Sequence, residues 1–279
     1  MDVSIVIPCL NGGATLARQL DALMAQVTEA RFEVVIADNG STDDSLAVAA
    51  RYPAEKVRVV DASAQAGANY ARNQGVASVP PETALIGFCD VDDLVHPGWV
   101  QAYWAAFRDG ARLMGGPRHR VLEPGDPKGI WQRSLTNSLN FLPWPAGANC
   151  AVAREVIEKV GPFDEAYLYG GDDTEFFWRA QLAGYKLVYV NRAAIDYVER
   201  SGLKGLARQR RKYGISHVQL FATYGASGMP RLRGGLVRRN LVNAVRASFR
   251  RRSLVPLIQD VGILAGHVEG SLKYRTFYL

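Results

Sequence analysis

The strongest constraint on the fold is an alternation, over the first 110 residues, of short β-branched runs with amphipathic helical patterns. The runs that predict strands are 3–7, 32–37, 57–60 and 84–89. The patterns that predict helices are 14–27, 42–51, 67–78 and 97–107. Such alternation is typical of a parallel sheet covered by helices, so an α/β architecture is predicted.

Beyond residue 110 this pattern changes. Residues 115–147 are rich in Gly, Pro and Trp, and predict irregular structure around a cleft. The other expected elements are helices 155–160, 172–183 and 203–213, strands 186–190 and 193–197, and an arginine-rich helical extension after residue 225. The chain is therefore divided into three predicted segments, 1–110, 111–220 and 221–279.

The composition is that of a folded protein, with 48% apolar and 22% charged residues. No stretch approaches the roughly 18–20 consecutive apolar residues that a membrane span needs, and the apolar start lacks the basic leader of a signal peptide. Cys9, Cys89 and Cys150 are odd in number and far apart, which predicts buried thiols in a reducing compartment. A cytoplasmic location is expected.

Charge is distributed very unevenly along the chain. Residues 200–279 carry 16 Lys/Arg and 2 acidic residues, whereas residues 1–199 carry 17 basic and 25 acidic ones. A basic tail favours an anionic surface, either phospholipid or nucleic acid. Its arginines alternate with apolar residues in the pattern of an amphipathic basic helix on a membrane surface, although a helix packed on the acidic body is the alternative. The arginines concerned are Arg231, Arg233, Arg238, Arg239, Arg246, Arg250, Arg251 and Arg252.

Acidic and turn residues follow three of the predicted strands, as segments 8–13, 38–43 and 90–93. Ligands of open α/β sheets bind beyond the carboxyl ends of the strands, so these segments are expected to form the site. Asp38 is suited to accept a hydrogen bond from a nucleobase N–H. Its alternative role is in starting the helix that follows.

Three carboxylates occur within four residues at Asp90, Asp92 and Asp93. Such charges repel one another unless a cation or a donor-rich ligand offsets them, which indicates a site for Mg²⁺ or Mn²⁺. The alternative is that they cap the next helix and complement its dipole, with Asp93 as the expected cap.

Another carboxylate, Asp173, shares a helical face with Phe176, Phe177 and Ala180. A lone carboxylate on an apolar face is costly to bury, so a general base beside a cleft accounts for it. A helix N-terminal cap is the alternative explanation.

Together these motifs resemble the family-two glycosyltransferases with the GT-A fold. The resemblance covers residues 3 to about 215, and its motifs are 3–8, 38–43, 71–75, 90–93, 161–165 and 171–176. It implies a GT-A (Rossmann-like) mixed, mainly parallel sheet flanked by helices, with a C-terminal helical extension. It also implies an inverting transfer of a sugar from a nucleotide-diphosphate donor, expected to be a UDP-sugar, to an acceptor hydroxyl with the help of Mn²⁺ or Mg²⁺.

The resemblance also assigns roles to single residues. Asp173 matches the catalytic base, and Asp92 matches the metal ligand. Residues expected at the nucleotide are Pro8, Leu10, Asn11, Asp38, Arg72, Asp90 and Val91. Residues expected at the acceptor or sugar are Gly147, Ala148, Asn149, Asp172 and Trp178, with Trp131 and Trp144 as further aromatic candidates. Segment 1–110 would bind the nucleotide sugar, 111–220 the acceptor, and 221–279 would form the basic amphipathic extension.

The sequence departs from the family pattern at three points. Leu10 stands where an aromatic residue is common, and Asp172 replaces the commoner Glu. No third metal ligand is obvious, and Asp196 occupies about the right place for one. His96, near a Pro-Gly turn, is interpreted as a surface residue.

The expected partners are the sugar donor, a cell-envelope glycan or lipid-linked acceptor, and an anionic membrane at the inner face of the cell. No nucleic acid is expected, because the body is acidic and lacks an aromatic-basic motif. Residues 8–13 lack the dinucleotide fingerprint and the Walker lysine, which argues against dehydrogenases and P-loop enzymes. A non-catalytic nucleotide-sugar-binding protein and a sugar nucleotidyltransferase are the alternative functions.

Overall fold

A computed structural model describes residues 1–199, 202–232 and 234–278; Arg233, one of the arginines singled out above, lies outside these ranges. The strands in the described part of the chain are β1 (Val3–Cys9), β2 (Phe32–Asp38), β3 (Val57–Asp61), β4 (Leu85–Cys89), β5 (Leu94–Val95), β6 (Leu113–Gly115), β7 (Arg118–Val121), β8 (Ile130–Gln132), β9 (Asn149–Ala153), β10 (Leu187–Tyr189) and β11 (Ile195–Val198). The helices there are α1 (Gly13–Met24), α2 (Ser45–Ala49), α3 (Ala68–Ser78), α4 (Trp99–Arg108), α5 (Arg154–Val160), α6 (Asp172–Leu182), α7 (Leu203–Tyr224), α8 (Gly234–Arg251) and α9 (Val255–Lys273).

The main sheet has seven strands in the order β10-β6-β9-β4-β1-β2-β3. Strand β1 pairs in parallel with β2 and β4, and β2 pairs in parallel with β3. Strand β9 is antiparallel to both of its neighbours, β4 and β6. The predicted mixed, mainly parallel sheet is confirmed.

The centre of this sheet is covered on both faces. Nearly every residue of β1, β2 and β4 is buried, which is why these strands are continuous apolar runs instead of alternating ones. The apolar stripe of α1 contributes Leu16, Leu20 and Leu23, each with no exposed surface. Packing of this kind holds the carboxyl ends of the strands in fixed positions.

A second sheet occupies part of the region predicted to be irregular. Its four strands are ordered β5-β11-β7-β8, with β11 antiparallel to β5 and parallel to β7. Strands β7 and β8 lie within residues 115–147, so the prediction of irregular structure there was wrong for these residues. Burial alternates along β7, with His119 and Val121 buried, as in a strand with one covered face.

The chain divides into two compact units. The first comprises residues 1–136, 143–165 and 172–199, and the second comprises 137–142, 166–171 and 200–279. The second unit contains α7, α8 and α9, which confirms the predicted helical extension. The division into segments 1–110, 111–220 and 221–279 stays a prediction.

Within the second unit, α7 and α9 approach so closely that the glycines at their contact, Gly214 and Gly266, have no room for a side chain. A Cβ at Gly214 of α7 would collide with the backbone of Ile263 and Gly266 on α9. Among the described residues, no helix has both the length and the apolar character needed to cross a membrane. The three cysteines are free and buried, as expected.

Candidate active site

The segments that follow β1, β2 and β4 meet at one edge of the main sheet. Cys9, the last residue of β1, is in register with Asp38, the last residue of β2. Strand β4 pairs with the other side of β1 and leads directly into residues 90–93. Gly12 lies so close to Val91 that a Cβ at this position would collide with the valine side chain. The predicted convergence of these segments is therefore present.

Hydrogen bonds tie the first two segments together. The backbone N–H of Asn11 donates to Ser41 Oγ at 2.9 Å, and the Asn11 side chain accepts from the N–H of Thr42 at 2.8 Å. Asp38, which is buried, accepts from the N–H of Ser41 at 3.2 Å. Leu10 is 56% exposed beside this rigid loop pair and is free to contact a ligand.

The acidic segment after β4 forms a compact oxygen cluster. Carboxylate oxygens of Asp90, Asp92 and Asp93 all lie within 4.8 Å of one another. Asp93 is buried, and its Oδ1 accepts from the N–H of Val198 at 3.0 Å. Burial and the charge of Asp90 raise the pKa of Asp93 well above its usual range.

This cluster has the donor set of a hard divalent cation. The Oδ2 atom of Asp93 is buried and has no hydrogen-bond partner among the described residues. An all-oxygen donor set with an unpaired buried oxygen fits Mg²⁺ or Mn²⁺. The alternative interpretation of Asp93 as a helix cap was wrong. Strand β5 follows Asp93 directly, and α4 begins only at Trp99.

Arg72 on α3 joins this cluster to α6. Its Nη2 lies 3.2 Å from Asp90 Oδ1, and its Nη1 lies 2.7 Å from Asp172 Oδ2. Burial lowers the pKa of Arg72, but Asp90 and Asp172 outweigh it and hold the pKa above its ordinary value. Burial raises the pKa of Asp172 to about 6, opposed by Arg72 and assisted by the charge of Asp173.

Asp173 lies in the first turn of α6, next to this ion pair. Its Oδ2 accepts from the N–H of Gly147 at 3.0 Å, and its Oδ1 accepts from the N–H of Thr174 at 2.7 Å. Gly147 is close to both Arg72 and Asp173, and a Cβ at this position would lie 3.3 Å from each of their side chains. The positive end of the helix dipole is complementary to the negative charge of a carboxylate at this position.

Of the residues expected at the acceptor, Gly147 and Ala148 are buried, and the side chains of Asn149 and Trp178 are also interior. Asn149 has no exposed surface; its Oδ1 accepts from Trp99 Nε1 and Tyr103 OH, and its Nδ2 donates to Ala193 O. Trp178 also has no exposed surface. The assignment of these two side chains to acceptor contact was wrong, because neither one reaches solvent.

The remaining aromatic and loop candidates differ in exposure. Ala148 is buried, and Trp144 is nearly so, at 8% exposed, where it packs edge-to-face on Trp178. Trp131 is 39% exposed and stacks on His119 with ring centroids 4.5 Å apart. Of the tryptophans considered, Trp131 is therefore the one with an open ring surface.

Asp196 is engaged elsewhere than in the acidic cluster. Its Oδ1 contacts His96 Nε2 at 2.7 Å and His119 Nδ1 at 3.0 Å, and its Oδ2 accepts from the N–H of Gly125 at 2.6 Å. Burial raises the pKa of Asp196, but these three donors outweigh it and hold the pKa below its ordinary value. The structure does not bring Asp196 to the group of Asp90, Asp92 and Asp93 as a third ligand.

His96 and His119 were not identified from the sequence as partners of Asp196. His96 was interpreted as a surface residue, yet it is only partly exposed and bonded to a buried carboxylate. The alternation of Arg and His in β7 is a weak signal that one of these side chains faces inward.

Two protein-family models match this chain. The model described as "Glycosyl transferase family 2" matches residues 4–153, and the one described as "Glycosyl transferase family group 2" matches residues 130–265. The first match spans the whole acidic edge described above.

Several named proteins are similar in sequence. Glycosyltransferase AglE of Haloferax volcanii is 27% identical over 198 residues, which cover 68% of this chain and 64% of that protein. Pre-mycofactocin glycosyltransferase of Mycobacterium tuberculosis is 26% identical, over 78% of this chain and 47% of its own length. N-acetylglucosaminyl-diphospho-decaprenol L-rhamnosyltransferase of the same species is 28% identical, over 68% and 74%. The chain thus spans less than two thirds of the first two of these relatives.

Two solved structures share the fold. Mannosyltransferase PcManGT from Pyrobaculum calidifontis, in complex with GDP-Man and Mn²⁺, has a TM-score of 0.65 and 15% identity, covering 97% of this chain and 87% of that one. TarS 1–349 from S. aureus, in complex with UDP-GlcNAc, has a TM-score of 0.59 and 17% identity, covering 100% and 93%. Because the family 2 model matches more than half of the chain, this chain belongs to glycosyl transferase family 2, and it has the GT-A fold.

Proposed function

We propose that this protein transfers a sugar, with inversion, from a nucleotide-diphosphate donor to an acceptor hydroxyl, and that Asp92 ligates a Mn²⁺ or Mg²⁺ ion at the donor. The expected donor is a UDP-sugar. One observation carries the proposal: Arg72 bridges the acidic cluster, through Asp90, to the helix that begins with Asp172 and Asp173. Donor and base are therefore held on one connected framework.

The nucleotide is proposed to lie against the loops after β1 and β2. Asp38 would accept a hydrogen bond from the base, while Pro8, Leu10 and Asn11 would line its pocket. Val91 and Asp90 would lie near the ribose. Support comes from the hydrogen bonds that fix Asn11 against residues 41–42, since a preformed pocket loses little entropy when it binds.

When bound, a divalent cation supplies positive charge that offsets the charge growing on the leaving diphosphate. Asp92 is the proposed holder, and a carboxylate oxygen of Asp90 and one of Asp93 lie within 4.8 Å of it. A Mn²⁺ ion is present in the complex of the mannosyltransferase that shares this fold, which supports the assignment.

Asp173 is proposed to remove the proton from the acceptor hydroxyl while that oxygen attacks the anomeric carbon opposite the diphosphate. A single displacement of this kind inverts the anomeric configuration. The Asp173 carboxylate is oriented by the N–H groups of Gly147 and Thr174 and by the Thr174 hydroxyl. Its Oδ2 accepts only from Gly147 among these and retains a further lone pair for the proton. Asp172 is proposed to act through Arg72, as a positioning residue near the acceptor.

The proposed acceptor is a cell-envelope glycan or a lipid-linked sugar, which Trp131 would contact. Support comes from the relative named for rhamnosyl transfer to N-acetylglucosaminyl-diphospho-decaprenol. We also propose that residues 221–279 attach the protein peripherally to the inner, anionic face of the cell membrane, where such an acceptor would be found.

A donor panel tests this function. The purified full-length chain is incubated with UDP-, GDP- and dTDP-sugars, with Mn²⁺ or with a chelator, and released nucleoside diphosphate is measured. We expect one donor class to be consumed and the chelator to abolish the reaction. Binding of a donor without any release would instead favour a non-catalytic nucleotide-sugar-binding protein.

A further inference from the structure

Helix α8 in the second unit has two apolar faces, of which only one is covered. The inner face packs on α9: Ala244 is 4% exposed, and Leu236, Val237 and Leu241 are partly buried. An ordinary amphipathic helix would present only polar residues on its other side.

The outer face of α8 carries a second apolar stripe. Val242, Val245 and Phe249 follow one another at spacings of three and four residues, so they project from the same side of the helix. Both valines are 41% exposed, and Phe249 is 83% exposed. A phenylalanine ring left in water forgoes the free energy that burial would supply.

Arginines surround this outer stripe. Arg238 continues it by one turn, and Arg239, Arg246 and Arg250 lie along its side. Residues 234–251 contain five arginines and no acidic residue. None of these arginines forms an ion pair with another residue in the described ranges of the chain. The face is therefore both apolar and strongly cationic.

We propose that this outer face of α8 binds the surface of an anionic phospholipid bilayer. The inference rests on the attachment proposed above and assigns it to particular side chains. Phe249, Val245 and Val242 enter the boundary between headgroups and acyl chains, and the flanking arginines bind lipid phosphates. The helix lies in the plane of the surface.

Charge complementarity selects this occupant over a second copy of the chain. Two such faces in contact would place arginines against arginines, and like charges at an interface are repulsive. Contact with nucleic acid phosphates would use the arginines, but it would leave the valines of the stripe in water. A bilayer matches the cationic and the apolar parts together.

Flotation of the full-length chain with vesicles tests the proposal. Wild-type protein should float with vesicles of equal parts phosphatidylglycerol and phosphatidylcholine. It should remain at the bottom of the gradient when the vesicles contain phosphatidylcholine alone. Arg246→Gln/Arg250→Gln should weaken binding by about thirtyfold, at about 1 kcal/mol per arginine. Phe249→Ser should weaken it by about tenfold.

Two matched controls distinguish binding through this face from binding that depends only on net charge or on any exposed apolar side chain. Lys204→Gln/Arg208→Gln removes the same charge from exposed positions of α7, and Val27→Ser removes an apolar side chain that is 86% exposed in the first unit. Both should float like wild type. The proposal is overturned if wild type ignores the anionic vesicles, or if the controls lose as much binding as the α8 variants. Donor binding, measured without vesicles, should persist in all variants, so its loss would count against the proposed function instead.

Discussion

Arg72 makes two ion pairs at once, and its side chain is only 7% exposed. Removal of one member of a buried ion pair leaves its partners charged and uncompensated, which costs about 3–5 kcal/mol. Arg72→Ala should therefore lower the free energy of unfolding by about 3 kcal/mol or more in a urea titration. The control is Arg112→Ala, whose partner Glu155 is 56% exposed, and it should cost less than about 1 kcal/mol. Equal losses in the two variants would contradict the role given to Arg72.

The pKa of Asp172, raised by burial to about 6, predicts how turnover depends on pH. Above this value the carboxylate is ionised and holds Arg72; as the pH falls through about 6, it takes up a proton and the ion pair weakens. Turnover should therefore fall on the acidic side of about pH 6. A pH profile of Asp172→Asn should lack that change, whereas an unaltered profile would show that another group titrates there.

For single residues, the sequence predicted which carboxylates lie at the same edge of the sheet, but it did not predict the hydrogen-bond partners of Asp196. Asp38, Asp90 and Asp92 were identifiable because they follow strands whose ends must share an edge. Asp196 was misassigned because its partners, His119 and Gly125, come from a hairpin far away in the sequence. No local pattern reports such contacts.

Among the elements, the helices α1 to α4 and the strands β1 to β4 were predicted to within three residues at each end, and the short strands β5 to β9 were missed. The sequence predicted a helix over 203–213, but α7 continues to Tyr224. Gly214, the first residue beyond the predicted helix, lies inside α7. A glycine is needed there because the backbone of α9 leaves no space for a side chain.

This close approach predicts opposite outcomes for two glycines of the same helix. Gly214→Ala would force α7 and α9 apart, and should lower the free energy of unfolding by about 1–3 kcal/mol, as overpacking does. Gly205 has nothing near its Cα hydrogens, so Gly205→Ala should leave stability unchanged or raise it by up to about 1 kcal/mol. Urea titrations followed by helix content measure the free energy of unfolding of both variants. Similar behaviour of the two variants would argue against tight contact of these helices.

A histidine pair between α7 and α9 predicts sensitivity to acid. His217 Nδ1 lies 3.2 Å from His267 Nε2. Burial lowers the pKa of His217 to about 3, with help from the charge of His267, and burial lowers the pKa of His267 to about 4.

The unfolded imidazoles take up protons near pH 6.5 and the folded ones do not, so stability is full above that value and is lost as the pH falls toward 4. Between pH 7 and pH 5 the free energy of unfolding should drop by about 4 kcal/mol, which is about 2 kcal/mol for each histidine. The drop should shrink in His217→Gln/His267→Gln. A drop of the same size in that variant would place the acid-sensitive group elsewhere.

For the whole molecule, charge and chemistry are separated along the chain. The first 199 residues are acidic and hold the proposed donor and base residues, whereas the remainder carries 16 of the 33 basic residues. Composition alone revealed this separation. It could not reveal which face of α8 is covered, because that depends on how α8 packs on α9.

The central claim is that Asp173 performs the chemistry at a donor site held by Asp92. Its most direct test measures donor binding by calorimetry and turnover on the same preparations of wild type, Asp173→Asn and Asp92→Ala. Asp173→Asn should bind the donor as wild type does while its turnover falls by about 10²–10⁴-fold, and Asp92→Ala should lose both binding and turnover. Turnover of Asp173→Asn at the wild-type rate would contradict the account.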